Sequence, residues 1–321
     1  MPSLSFERIS IVGAGAMGAF YAARFFEMDP HCVSIIAGGE RYDRLRQRGL
    51  VVNGKRYDLP VTGPEDSSPS DLILVAVKHH HLPQAIADMR KAVGAKTHIL
   101  SVMNGIQSEE QIGAVYGMDK MLYAVAIGID AVREGNVVTC TSQGKLVFGE
   151  PDNSMLSERV KALKVLFTMA GIVHDTPVDM IRALWWKFMV NVGMNQVSAI
   201  LDAPYGLFQR SRSAQDITQD AMNEVIAIAN AKGISLSKRE AEEFLPFLQK
   251  MSPDGKTSMV QDIEAKRKTE VEMFAGKVVE MGLEMNIPTP VNHTLFLLIQ
   301  ALEEKNKMEG VQGAESIAQG A

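Results

Sequence analysis

The segment from Arg8 to Val12 reads as a short apolar strand, and it runs directly into Gly13-Ala14-Gly15-Ala16-Met17-Gly18, after which Ala19 to Met28 reads as a helix. Few patterns constrain a fold as tightly as GxGxxG in that setting. Gly13 makes the tight turn, Gly15 lets the backbone approach a pyrophosphate, and Gly18 lets the helix pack on the strand. The phosphate then sits at a helix N-terminus, where free N–H groups and the helix dipole favour an anion. An incidental glycine turn is the alternative, and it would need neither the strand before nor the helix after. The six residues Gly13, Ala14, Gly15, Ala16, Met17 and Gly18 are therefore expected to hold a dinucleotide.

Val33 to Ala37 is the expected second strand, and the residues at its end choose the cofactor. An acidic residue there would hold the ribose 2′-OH of NAD, and an Arg would accept the 2′-phosphate of NADP. The text is Ala37-Gly38-Gly39-Glu40-Arg41, so the signal is divided. Arg41, Arg44, Arg46 and Arg48 follow on a helix that could equally present an ordinary wet face. Asp71 to Val77 is a continuous apolar run of the kind a parallel strand covered on both faces shows. Ligands in open α/β sheets lie beyond the carboxyl ends of strands, which places Lys78 near cofactor phosphate or ribose. His79, His80 and His81 are not a metal site, since adjacent side chains diverge and no other ligands accompany them. His98 to Met103 is a further strand, and Asn104-Gly105 at its end reads either as a turn or as a cofactor or substrate contact. From Leu122 to Phe148 alternating strands with Gly turns extend the sheet in antiparallel fashion. A helix over 155–170 and a short strand over 172–174 close the α/β rhythm.

From Met180 onward only helical periodicity remains, with expected helices at 180–200, 213–232, 238–250, 258–285 and 290–305. The fold class is thus α/β, a Rossmann-type dinucleotide-binding domain over 1–178 followed by an all-α domain over 179–309, with a disordered tail at 310–321. The first of these helices carries an anomaly. Lys187, Asn191 and Asn195 recur at i, i+4 and i+8, about 6 Å apart per step on one face, among Leu184, Trp185, Phe188, Met189, Val192 and Met194. Ser198 falls near the same line. A solvated stripe would use good helix formers, and Asn is a weak one. Buried polar groups need partners, so this line is expected to face a ligand cleft. Ser258 could be an N-cap and Glu270 a solvated carboxylate, but a buried ammonium calls for a carboxylate and a substrate anion calls for hydroxyl and amide donors.

Composition excludes other classes of function. The balance of 33 basic and 38 acidic residues in 321 argues against nucleic acid as a partner. No apolar run reaches about 18 residues, so no membrane span is expected. Cys32 and Cys140 show no metal or redox spacing, and the N-terminus lacks the regions of a signal peptide, which points to a cytoplasmic protein.

With these pieces assembled, the chain resembles the ketopantoate reductase family, the NADPH-dependent 2-dehydropantoate 2-reductases of pantothenate synthesis. The resemblance runs through Gly13 to Gly18, Lys78, Asn104-Gly105, Arg133-Glu134-Gly135-Asn136, the Leu184-Trp185-Trp186-Lys187 helix with Asn191 and Asn195, and Ser258-Met259-Val260-Gln261-Asp262-Ile263 followed by Glu270. It implies NADP(H) as cofactor, a small 2-oxo acid as substrate and Lys187 as proton donor. Asn191, Asn195 and Ser258 would hold the substrate, while Asn104, Ala131 and Glu270 would contact the cofactor or brace the site, Glu270 by opposing the downward pKa shift that burial imposes on Lys187. The family usually places Arg where Gly38 stands, so NADP preference here rests on Arg41. It often has Asn where this chain has Tyr205, which leaves the identity of the 2-oxo acid open. A related reductase of another 2-oxo acid and a non-catalytic NADP(H)-binding redox sensor are the alternatives, and a homodimer fits the apolar second domain.

Overall fold

The computed structural model describes residues 6–309 in full and 310–319 by backbone alone, so the expectation for the tail at 310–321 lies outside the fully described residues. The chain divides into two compact units, Met1–Leu184 and Trp185–Ala321.

The first unit is built on strands β1 (Ile9–Val12), β2 (Val33–Ile36), β3 (Leu50–Val52), β4 (Lys55–Tyr57), β5 (Val61–Thr62), β6 (Ser70–Val75), β7 (Val93–Ser101), β8 (Met121–Glu134), β9 (Val137–Gly149) and β10 (His174–Asp175). They form one sheet in the order β4-β3-β9-β8-β7-β6-β1-β2-β5, with β10 on β9. Strand β1 lies between β2 and β6, parallel to both, and β6, β7 and β8 continue in parallel. Both β1 and β6 are buried along nearly their whole length because both sheet faces are covered. The covering helices are α1 (Ala16–Met28), α2 (Gly39–Arg48), α3 (Leu82–Asp88), α4 (Ser108–Tyr116) and α5 (Glu158–Met169). Phe167 of α5 stands edge-on to Phe148 of β9 at 4.9 Å and lies 6.3 Å from Phe25 of α1, so aromatic packing joins these elements.

Strand β9 folds back antiparallel on β8, as the glycine-punctuated alternation implied. Two features differ from the sequence reading. A hairpin, β3 and β4, turns on Asn53 and Gly54 at φ values of 49° and 79°, and β3 adds itself in parallel to β9. Asn-Gly is a strong hairpin signal, but the flanking strands are too short to show alternation. Secondly, β6 ends at Val75, so Lys78 lies beyond the strand and opens a short 3-10 turn over His79–His81.

The second unit contains α6 (Met180–Leu201), whose first turn belongs to the first unit, then α7 (Tyr205–Arg210), α8 (Arg212–Ala231), α9 (Lys238–Leu248), α10 (Ser258–Glu264), α11 (Lys277–Met285) and α12 (Pro290–Gln319). The single helix expected over 258–285 is broken. It stops after Glu264, Lys266 adopts φ 52°, and a π-helical turn over Glu272–Gly276 leads into α11. No Gly or Pro marks the break. Side chains from elsewhere hold it instead: Arg267 pairs with the buried Asp262 at 3.0 Å, and Glu303 of α12 accepts from the N–H and hydroxyl of Thr269 at 2.7 and 2.6 Å.

Helix α6 is buried on every side from Phe188 to Ala199. It packs tightly on α8 at Gly193, where an added Cβ would stand 2.7 Å from Met222 Cγ and 2.9 Å from the Thr218 carbonyl oxygen. Ala is favoured over Gly in a helix interior by about 1 kcal/mol, so propensity alone predicts a stabilised variant. We expect Gly193→Ala to destabilise the protein instead, by a net ~1–3 kcal/mol in denaturant unfolding, because overpacking against a backbone atom outweighs propensity. A midpoint equal to or above that of the parent would refute this account of the α6 and α8 contact.

Candidate functional site

The glycine loop separates two requirements that the sequence pattern combines. A Cβ at Gly13, which has φ +100°, would stand 2.5 Å from the Ala76 carbonyl oxygen, and one at Gly18 would overlap the Gly13 carbonyl at 1.8 Å. Those two glycines are demanded by the protein's own packing. A Cβ at Gly15 would meet only the Ala76 oxygen, at 3.9 Å, so this position is left open on the side a phosphate would approach. Gly15 is also the N-cap of α1 and offers no side-chain cap, which leaves the first N–H groups of a long helix for an anion. Ala14, Ala16 and Met17 are partly exposed around it.

Arg133, near the end of β8, donates to the Ala14 carbonyl of this loop. Its pKa is lowered by burial first and then by the positive charges of Arg44 and Arg41. Arg41 itself is held by His81, Nη2 to Nε2 at 2.9 Å. Burial, then Arg41 and His80, keep the His81 imidazole below its ordinary pKa, and in its neutral form it accepts from Arg41. An anion placed among these arginines would offset their positive charge. The sequence pointed to Arg41 through its place after β2, treated Arg44 as wet surface, and noted Arg133 only within the resemblance.

Lys78 is partly buried beyond β6, and Asn104 is partly buried in the 102–107 segment after β7, beside Gly105 at φ +96°. Ala131 sits where the β8 and β9 register slips, between Asp130 and Ala131, a local bulge that re-aims side chains. The 102–107 segment is anchored by a buried network that the sequence reading missed. Ser101 Oγ and Ser108 Oγ are 2.7 Å apart, Ser108 donates to Glu109 Oε2 at 2.9 Å, and the Met103 N–H reaches Ser101 Oγ at 3.4 Å. Glu109 is 2% exposed, and burial pushes its carboxyl up to about 7 against opposing hydrogen bonds from its own N–H, from Ser108 and from the Ala124 N–H. A Glu at the start of a helix usually reads as a solvated first-turn acid, so nothing local distinguished it.

In the second unit, α6 carries the polar line as expected. Asn191 and Asn195 are buried, while Lys187 keeps part of its surface exposed. Burial nonetheless pushes the Lys187 ammonium down to about 8, and no carboxylate among the described residues offsets that shift. Glu270 was expected to provide the offset; it is buried at the start of the segment leading to the π turn, but it contributes nothing to the lysine's pKa. Helix α10 docks on α6 through Ser198 Oγ and Thr257 Oγ1 at 2.7 Å. Thr257 is also the N-cap, its hydroxyl accepting from the Val260 N–H at 3.4 Å, so Ser258 is not the cap. The Ser258 hydroxyl is left exposed, with Asn195 Nδ2 3.5 Å away. Gln196, beside Asn195, is fully buried and escaped the sequence reading because it lies off the Lys187 line. No group of His, Cys, Asp or Glu able to hold a metal occurs among the described residues, and no helix among them is long and apolar enough to cross a membrane.

Comparison with known proteins adds three findings. The family models described as ketopantoate reductase PanE/ApbA and ketopantoate reductase PanE/ApbA C terminal match residues 9–153 and 179–303. A 2-dehydropantoate 2-reductase of Aquifex aeolicus is 24% identical over 302 residues, covering 91% of this chain and 96% of that one. Among solved structures, a 2-dehydropantoate 2-reductase of Geobacter metallireducens is 29% identical with a TM-score of 0.81, covering 92% of this chain and 99% of that one. A D-mandelate dehydrogenase with NADH and anilino(oxo)acetate superposes with a TM-score of 0.85 over 94% of this chain and 99% of that one; at 23% identity it shows the fold alone.

The buried Glu109 gives the first unit a pH signature. Its folded pKa, about 7, lies above the ordinary 4.5, so the fold favours the protonated form. Its contribution is most favourable below pH 4.5 and is lost as pH rises towards 7, by on the order of 3 kcal/mol in all. Glu109→Gln keeps an acceptor for Ala124 and removes the titration, so the variant should gain on the parent as pH rises from 5 to 8. A stability difference that stays constant over that range would show that Glu109 does not titrate there.

Proposed function

The chain belongs to the ketopantoate reductase PanE/ApbA family, and from that premise we propose that it is a nicotinamide-dependent reductase that converts 2-dehydropantoate to pantoate with NADPH. The observation that carries the reading is Lys187, a lysine poised near neutral pH by burial, on one helix face with Asn191 and Asn195 and with the Ser258 hydroxyl beside Asn195. A bound nicotinamide would supply a hydride to C2 of the oxo acid. As that bond forms, the carbonyl π pair moves to oxygen, and Lys187 donates the proton that makes it a hydroxyl, leaving the amine neutral. Asn191, Asn195 and Ser258 provide neutral hydrogen bonds for a carboxylate and a hydroxyl, which suits a small hydroxylated acid. Glu270 would brace these residues of the second unit, and Asn104 is a contact residue of the first unit.

The cofactor residues fit a dinucleotide phosphate. Gly13 to Gly18 and the open N-terminus of α1 would take the pyrophosphate, Lys78, Asn104 and Ala131 would line the path beyond, and Arg41, with Arg44 and Arg133 beside it, would take the 2′-phosphate. A reductase of another 2-oxo acid is the second reading, favoured by Tyr205. Its ring covers Gly255, where an added Cβ would stand 2.9 Å from Tyr205 Cδ2, just ahead of Ser258. Rates with a panel of 2-oxo acids decide between the two readings, and no turnover with any of them would favour a binding protein.

Two outcomes are expected from kinetics. Reduction requires the ammonium form of Lys187, so kcat should fall as pH rises through about 8, the depressed pKa, while the reverse oxidation should gain. Lys187→Ala should lower kcat by ~10²–10⁴-fold with little effect on cofactor binding. A variant with kcat within about threefold of the parent would remove Lys187 from its role as acid. The arginine cluster further predicts that NADPH is preferred over NADH in kcat/KM, and that Arg41→Ala abolishes the preference. Parent values favouring NADH would rule this assignment out.

A further inference from the structure

The π-helical turn at Glu272–Gly276 follows directly on Glu270, and its hydrogen bonding is irregular. The Val271 carbonyl accepts from both Phe274 and Gly276, at 3.2 and 3.0 Å. The N–H of Ala275, between them, donates to the side chain of Gln196 on α6, at 3.0 Å from Oε1. Gln196 has 0% exposure, and its Nε2 donates to the Val192 carbonyl at 2.7 Å and to Asn292 Oδ1 at 3.3 Å. Asn292 in turn donates from Nδ2 to Glu224 Oε2 at 2.7 Å, and Glu224 also accepts from the N–H groups of Val291 and Asn292 at the start of α12, at 2.8 and 2.9 Å. On the other side of Glu270, Thr269 is fastened to Glu303 of α12. Glu270 is therefore clamped at both flanks, by Glu303 before it and by Gln196 after it.

We propose that Gln196 is a positioning residue of the reductase site: by taking the Ala275 N–H it holds the π turn, and with it Glu270, in register with the Asn191 and Asn195 face of its own helix. The physical case rests on what a wide turn does. A π turn frees backbone groups from the regular helical ladder, and a buried N–H without a partner is costly, so the turn persists only where a partner is supplied. Gln196 supplies it from the residue next to Asn195. An amide is suited to the task because it must accept on one side and donate on the other, which neither a carboxylate nor an ammonium does in its ionised form. The register of the Glu270 segment is thereby tied to α6 rather than to its own chain neighbours. Such turns recur at functional sites because they re-aim the residues beside them.

This inference rests on the reading of α6 as the substrate-holding helix, and the test separates the two. Gln196→Leu keeps the volume and removes both polar atoms. In that variant the Ala275 amide is expected to exchange faster in native-state hydrogen exchange. The KM for NADPH should stay within about twofold of the parent, while kcat/KM for the 2-oxo acid falls about tenfold or more at a temperature well below unfolding, since misplacement by about 1 Å has effects of that size. A faster-exchanging Ala275 with kcat/KM intact would reduce Gln196 to a structural brace and overturn the proposal, as would unchanged exchange. If Gln196→Leu does not fold, Gln196→Glu replaces it. That variant, kept protonated by burial, retains an oxygen for Ala275 and one O–H for the Val192 carbonyl, and the proposal then requires a protected Ala275 with kcat/KM within about threefold of the parent, a loss below the misplacement range. A larger loss despite a protected Ala275 overturns it. Lys187→Ala serves as the control, because it should leave Ala275 exchange untouched. If Lys187→Ala keeps its kcat while Gln196→Leu loses kcat/KM, the acid assignment fails and the positioning role of Gln196 stands.

Discussion

Helix α6 is buried around its whole circumference from Phe188 to Ala199, and a helix in that situation must find a partner for every polar side chain it carries. That constraint organises the second unit. Ser198 is satisfied by Thr257, which docks α10 and presents Ser258. Gln196 is satisfied by Ala275, Val192 and Asn292, which docks the π turn and α12. Lys187 lies just before the fully enclosed stretch, where part of its surface remains open while burial still lowers its pKa.

The same physics acts with opposite sign in the first unit. Burial raises the Glu109 acid to about 7 and lowers the Lys187 base to about 8, because in each case the charged form is the one that loses solvation. Their roles differ. Glu109 shares its network with Ser101 and Ser108 and anchors the segment carrying Asn104, whereas Lys187 has no offsetting carboxylate among the described residues and keeps part of its surface exposed. A third electrostatic feature is Arg133, whose pKa is lowered by burial and then by the nearby charges of Arg44 and Arg41.

What the amino-acid sequence determined by itself was whatever short-range chemistry dictates. GxGxxG settled the strand–turn–helix that opens the first unit, apolar runs settled the parallel strands, and the four-residue recurrence of Lys187, Asn191 and Asn195 singled out α6. Each of these is a periodicity or a backbone requirement contained within about twenty residues, the span over which such patterns are read. Only the tertiary structure decided the rest. The interruption after Glu264 carries no Gly or Pro and depends on Glu303 binding Thr269 from 34 residues away. The role of Arg133 depends on Ala14, 119 residues earlier, and that of Gln196 on Ala275, 79 residues later. Glu109 looks like any first-turn acid until β8 supplies the Ala124 N–H and the surrounding burial. A side chain's solvation and its distant hydrogen-bond partners are properties of the packed chain, and no local pattern encodes them.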